Sequence, residues 1–351
     1  MRNFLHLRGD AHVRGRGQAA LRPDAAAAVR DALAARLETI RIDRDFIDRQ
    51  HAFAQAHCAG DMAEIDGIAQ GYAVDPLDLF IYLHAGILGD LGAYQGDGCS
   101  VLAMPHPQGG ARIAKNRDFR GDHAPLQMVA LHEGPDMPHA WLSLGSLGAP
   151  GAYSSGINDA GLAVADTQTS VRNHAPGWLR YFVMTRILSV CADVKAAVAM
   201  LRELRHVGGG CLVLADRQGV TAAVELACNG IAVEWGDRSV ARTNHFVQLA
   251  DENLVRSGDC MQASSQERLE RLRAALESGM GCNPQALMAS HGGDGRPALC
   301  RHGEDDDART LSLACLETGA PALSVAFGPP CMQPLQRFAF ATLANGDGAG
   351  R

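Results

Sequence analysis

The chain has 351 residues, enough for one large or two ordinary domains with a sizeable core. Its 47% hydrophobic content places it among globular rather than disordered chains. A net charge of −7 and a pI near 6.0, with no long basic run, argue against a nucleic-acid or anionic-membrane partner.

The first residues, Met1 to Arg8, lack the apolar h-region of a secretory signal, so a cytoplasmic location is expected. No apolar stretch reaches the roughly 18 residues of a membrane span. Residues 24–49 are rich in Ala, Leu and Arg at helical spacing, with Pro23-Asp24 as a start signal. A second helix is expected over residues 62–70, ending at Gly71, and a third from Asp75-Pro76-Leu77 to near Leu88. Glycines 86, 89, 92, 96 and 98 then punctuate a turn-rich stretch that leads to Cys99.

Beyond Cys99 the texture is that of strands. Short apolar runs at 100–104, 111–114, 126–131, 141–147 and 156–166 are separated by Gly, Pro and His turns. Residues 178–204 read as one or two helices, with apolar positions at i, i+3 and i+4. Strands return at 211–215 and 222–226, joined by the turn Asp216-Arg217-Gln218-Gly219. Residues 266–276 read as a helix and 311–326 as the last two strands. The acidic run Glu304 to Asp307 reads as a solvated loop and residues 346–351 as a disordered tail. This order suits an α+β fold, a four-layer αββα sandwich, better than a doubly wound sheet.

Ten cysteines lie at 58, 99, 191, 211, 228, 260, 282, 300, 315 and 331, with no C-x-x-C pair and none of the spacing of a zinc site. Most read as buried thiols acting as small hydrophobes. Cys99 stands apart because of its neighbours. A cysteine directly after glycine can attack the carbonyl in front of it, since glycine permits the strained turn that this requires. Cleavage between Gly98 and Cys99 would leave a thiol and a free α-amine on one residue. That amine, with a pKa of roughly 7.7–8.0, can serve as base for its own thiol. Gly208-Gly209-Gly210 precedes a strand and is no dinucleotide fingerprint, and there is no H-E-x-x-H, so neither metal nor other cofactor is expected.

Further motifs recur in a familiar order. Residues 7–10 and 15–18 form an opening glycine pattern, and residues 64–71 a stretch of Glu, Gly and Ala. After Gly98-Cys99-Ser100 come Lys115-Asn116-Arg117-Asp118-Phe119, the Gly156-Ile157-Asn158-Asp159-Ala160-Gly161-Leu162 turn, Thr243-Asn244-His245 and Gly328-Pro329-Pro330-Cys331. Through most of its length the chain resembles the N-terminal-nucleophile (Ntn) acyltransferases and amidohydrolases related to isopenicillin N acyltransferase. Choloylglycine hydrolases and penicillin V acylases are more distant relatives.

The resemblance implies an αββα catalytic core over residues 99–345 and a helical N-terminal segment over 1–98 that becomes a separate subunit on self-cleavage. It implies an acyl-enzyme on Cys99, formed from a small-molecule amide or thioester, acyl-CoA included, with the two fragments staying associated. Asp118 is then expected to orient the α-amine and Asn244 to donate a side-chain N–H to the oxyanion. Lys115 stands where relatives carry arginine, keeping the charge but losing the planar fork. Arg309 lies near a further active-site arginine of the relatives, and Arg117, Asn116 and His245 are substrate-side candidates, His245 reading more as a structural residue than a base. A hydrolase and an acyltransferase share all these residues. The alternatives are a choloylglycine-type amidohydrolase and a non-catalytic thiol protein that keeps the fold; the 98 residues before Cys99 favour the acyltransferase branch.

Overall fold

The computed structural model describes residues 3–88, 98–236, 239–249, 260–278, 283–293, 297–303 and 308–344. The expected turn at 89–97, the loop at 304–307 and the tail beyond 344 lie outside the described residues. In chain order the elements are β1 (Phe4–Arg8), α1 (Ala11–Leu21), α2 (Ala26–Thr39), α3 (Arg44–His57), α4 (Ala59–Tyr72), α5 (Pro76–Leu83) and α6 (Ala85–Leu88). Then come β2 (Gly98–Pro105), β3 (Ala111–Arg120), β4 (Gln127–Glu133), β5 (Trp141–Ser146), β6 (Ser155–Asn158) and β7 (Ala163–Gln168). They are followed by α7 (Arg180–Val190), α8 (Val194–Glu203), β8 (Gly210–Ala215), β9 (Thr221–Ala227), β10 (Gly230–Gly236) and β11 (Val240–Arg242). The chain closes with α9 (Cys260–Glu277), α10 (Pro284–Met288), β12 (Ala308–Glu317), β13 (Ala322–Phe327), β14 (Gln336–Ala339) and α11 (Phe340–Ala344).

The strands form an eight-stranded sheet, β1-β4-β5-β6-β7-β8-β9-β10, and a six-stranded sheet, β11-β2-β3-β12-β13-β14. Val101, Ile113, Leu142, Val213 and Val325 from both sheets share one buried cluster, so the sheets pack face to face. The N-terminal helices with α7 and α8 cover the outer face of the larger sheet. Leu269, Leu272 and Met288 of α9 and α10 cover the outer face of the smaller one. The result is the four-layer αββα sandwich that the order of elements predicts.

Three local readings are corrected. The helix expected over 24–49 is two, because Ile40 is extended and Asp43 caps a new start by accepting from the Phe46 amide at 3.0 Å. The N-terminal segment is not helical throughout: β1 pairs in parallel with β4, Phe4 opposite Val129, its signal being no more than the buried pair Leu5 and Leu7. Helix α1 went unseen because Gly15 and Gly17 lower its propensity. Those glycines have a packing reason. A Cβ on Gly15 would sit 2.2 Å from the Glu64 carbonyl oxygen, and one on Gly67 would sit 2.1 Å from that of His12. The opening glycine pattern and the Glu-Gly-Ala stretch are thus the two sides of one close helix crossing, α1 on α4.

Candidate active site

Strands β2 and β3 pair with Gly98 opposite Asp118, Cys99 opposite Arg117, Ser100 opposite Asn116 and Val101 opposite Lys115. The two-residue period of a strand splits these into two faces. Cys99, Lys115 and Arg117 face the large sheet, while Gly98, Ser100, Asn116 and Asp118 face α9 and α10. Cys99 is 8% exposed and borders a small cavity between the layers, about 60 Å³, room for only a few waters. Tyr153 of the β5–β6 connection and Asp166 and Gln168 of β7 line it, with Arg180 and Tyr181 of α7, and Arg36, Tyr82 and Gly86 of the N-terminal helices.

On the first face Lys115 is held, not free. Its Nζ pairs with Asp166 and donates to the Ser154 carbonyl at 3.1 Å. Asp166 also accepts from Arg180 Nε at 2.7 Å, and Arg180 goes on to the Gly209 carbonyl and Gln168. Burial pushes the Asp166 carboxyl up, but Lys115 and Arg180 outweigh it and hold it below the ordinary range. Arg117 donates to Gln127 and Ser146 and lies over the Tyr153 ring, 5.3 Å from its centroid.

At the strand start the groups converge on the Gly98–Cys99 peptide. The Cys99 amide donates to Asn244 Oδ1 at 2.8 Å. Arg268 of α9 donates to the Cys99 carbonyl at 2.6 Å, to Ser100 Oγ at 2.9 Å and to Asn244 Oδ1 at 2.9 Å. Burial and the nearby Arg301 push Arg268 down to about 10, so it stays charged at neutral pH. Asp118 is buried, and its Oδ1 accepts from Thr310 Oγ1 at 2.7 Å. Its Oδ2 accepts no hydrogen bond among the described residues; it lies 3.6 Å from Arg301 Nε and 3.2 Å from where a Cβ on Gly98 would be. Burial raises the Asp118 carboxyl above the ordinary range, and Arg301, Arg268 and the Thr310 bond offset part of that rise. Lys115, Arg117, Arg180, Arg268 and Arg301 stand against Asp118 and Asp166, so cations outnumber carboxylates around Cys99.

Cys99, Lys115, Arg117, Asp118 and Asn244, which the sequence reading groups, lie around the start of β2 and β3. Four details differ. One Asn244 side-chain N–H goes to the Gln168 carbonyl at 3.0 Å, and it is the Asn244 oxygen that faces the Cys99 amide. Asn116 is not on the substrate side: its amide donates to the Met288 and Leu299 carbonyls, because its strand position points it at α10. His245 Nδ1 lies 2.8 Å from Ser265 Oγ, outside the cavity lining, and burial pushes its pKa down to about 4, which leaves it neutral. Arg309 pairs through its backbone with Phe119 and does not line the cavity; its neighbour Thr310 makes the contact with Asp118. Sequence reasoning missed Asp166, Arg180, Arg268 and Arg301. Asp166 had a readable signal, an acid in the otherwise apolar start of β7.

The profile of a family described as "Acyl-coenzyme A:6-aminopenicillanic acid acyl-transferase" matches residues 106–330. A mutant of the conjugated bile acid hydrolase from Clostridium perfringens is similar at a TM-score of 0.50 and 13% identity, over 70% of this chain and 93% of that one. Penicillin V acylase from Agrobacterium tumefaciens aligns at 0.45 and 12% identity, over 69% and 86% of the two chains. The Caenorhabditis elegans ortholog of N-acylethanolamine-hydrolyzing acid amidase aligns at 0.43 and 13%, over 64% and 94%. No curated protein matches. The two-sheet sandwich is that of the Ntn hydrolases, and the chain belongs to the acyl-coenzyme A:6-aminopenicillanic acid acyl-transferase family.

Proposed function

We propose that this protein is a self-processing cysteine enzyme that cleaves a linear amide, or moves an acyl group from an amide or thioester to an amine, through an acyl-enzyme on Cys99. The observation that carries this reading is the setting of the Gly98–Cys99 peptide. Its N–H is held by Asn244, Arg268 grips the next carbonyl, and an Asp118 carboxylate oxygen that accepts no hydrogen bond among the described residues stands beside Gly98. In the first reaction Cys99 Sγ attacks the Gly98 carbonyl and the peptide nitrogen leaves as an amine. Water then hydrolyses the resulting thioester, giving a Gly98 carboxylate and a free Cys99 α-amine. Asn244 Oδ1 already accepts from that nitrogen, and Asp118 Oδ2, beside Gly98, would accept one of its further protons.

In turnover the α-amine takes the thiol proton as Sγ attacks the substrate carbonyl, and the same proton passes to the leaving amine. The thioester then partitions between water and an acceptor amine. The cluster of cations around Cys99 favours both the thiolate and the oxyanion. Arg36, Tyr82 and Gly86 put the N-terminal segment into the cavity wall, so both fragments would shape the acyl site.

The test is the intact mass of the wild type beside Cys99→Ala. The expected result is fragments of 98 and 253 residues from the wild type and one uncut chain from the variant. An uncut wild type across a range of pH and reductant would overturn the reading, since the α-amine would never be released.

A further inference from the structure

Outside the cavity lining, three separate parts of the chain bring four metal-binding side chains together. His291 follows α10, Cys300 and His302 flank Arg301 ahead of β12, and Cys331 ends the Gly328-Pro329-Pro330 turn. Their donor atoms all lie within 4.8 Å of one another. His302 Nε2 is 3.0 Å from His291 Nε2, 3.2 Å from Cys331 Sγ and 3.6 Å from Cys300 Sγ, and the two sulfurs are 3.6 Å apart. As hydrogen bonds these contacts oversubscribe one ring nitrogen, which offers a single lone pair or a single proton. A tetrahedral ion resolves them. Bonds of about 2.0–2.1 Å to nitrogen and about 2.3 Å to sulfur put the donors of a tetrahedron about 3.3–3.8 Å apart.

We propose that His291, Cys300, His302 and Cys331 form a structural zinc site of the Cys2His2 type. Thiolate and imidazole donors select zinc over the hard cations magnesium and calcium. Four protein ligands fill the tetrahedron and leave no open position for a substrate or a reactive water, which assigns the site to structure rather than catalysis. On binding, the two thiols give up their protons and the imidazoles bind neutral, so the zinc charge is balanced within the site. Its reach is to Arg301, fixed between two ligands with its Nε 3.6 Å from Asp118 and its guanidinium donating to Ser264 Oγ at 3.1 Å. The ion would fasten the segment that sets this cation beside Asp118. The site stands whether or not Cys99 is a nucleophile.

The test uses the full chain, purified with reductant, loaded with zinc and freed of excess metal. Elemental analysis is expected to give about one zinc per wild-type chain, falling at least about tenfold in Cys331→Ser and His302→Gln. Cys228→Ser, a thiol outside the cluster, is expected to keep its zinc. Should the ligand variants fail to fold, the wild type decides alone: cobalt in place of zinc is expected to give the visible absorption of a tetrahedral thiolate site. Zinc is also expected to shield Cys300 and Cys331 from alkylation until a chelator is added. A wild type that holds no stoichiometric metal, a Cys331→Ser protein that retains it, or a Cys300–Cys331 disulfide in reduced preparations would each overturn the proposal.

Discussion

Asp166→Asn tests whether one buried carboxylate holds the cations around Cys99 in place. Asp166 is paired on both oxygens, with Lys115 on one and Arg180 on the other. Side-chain exposures of 7%, 2% and 4% for Asp166, Lys115 and Arg180 leave no solvent screening to discount. The substitution keeps the shape and removes only the charge, stranding two buried cations, for which a loss of about 3–5 kcal/mol is expected. With an unfolding entropy of about 2.1 cal/mol/K per residue, that is a fall in Tm of roughly 4–7 °C for a chain of this length. Thermal and urea midpoints should be compared in a Cys99→Ala background, so that processing does not confound them. Lys115→Met added to Asp166→Asn should restore part of the loss, with a coupling of about 1 kcal/mol or more. The folded-state carboxyl is depressed, so its contribution is fully present above the unfolded pKa of about 3.9 and is lost as the pH falls through the folded value. The gap between wild type and variant should therefore be flat from neutral pH to about 5 and close below about 4. A midpoint unchanged at neutral pH would refute the argument that Asp166 organises this side of the site.

Three further outcomes follow from the geometry. Gly67→Ala should destabilise the fold by about 1–3 kcal/mol in urea denaturation, because its Cβ meets backbone and the α1–α4 crossing must open. Arg268→Met should slow self-processing by up to about 10²-fold, the cost of misplacing a reacting group, because Arg268 fixes the Cys99 carbonyl and Asn244 around the scissile peptide; a wild-type rate of fragment appearance would remove Arg268 from the mechanism. Processing should lose rate as the pH falls through the Asp118 pKa, which burial sets above the ordinary 3.8. Thr310→Val, which removes a hydrogen bond to the carboxylate, should move that acid limb to higher pH; a limb that stays put or moves lower would separate Asp118 from the rate.

The layer order was legible because helices and strands come in long blocks along the chain, and Cys99 was legible as a candidate nucleophile because Gly98-Cys99 is a local chemical unit. Lys115, Asp118 and Asn244 were reached through the resemblance, and strand pairing explains why they travel with Cys99: the β2–β3 register sets Gly98 against Asp118, and β11, paired with β2 with Arg242 opposite Val101, delivers Asn244. Which way each neighbour points was less accessible. Asn116 and Arg117 differ by one strand position, and that position sends one to α10 and the other to the cavity. Arg268 and Arg301 carry no signal of their own, since arginine is ordinary on a helix face or in a loop. The four candidate zinc ligands were hidden for the same reason. They come from three chain segments, with Cys300 and His302 the sole close pair among them, so the fold has to bring His291 and the turn at Cys331 back to that pair.

The parallel pairing of β1 with β4 has a consequence for the protein's life after synthesis. Residues on either side of Gly98 share one core, from Leu5 and Ile68 to Trp141 and Phe182. A cut at that point would leave this core intact but convert its refolding from a unimolecular event into an encounter between two chains. The covalent link, which holds the two halves at an effective concentration of order millimolar, would be gone. An uncut protein should then refold at a rate independent of dilution, whereas a processed one, once unfolded, would recover only as its fragments collide. Each molecule would carry the instructions for its own assembly until it spends them on its first reaction.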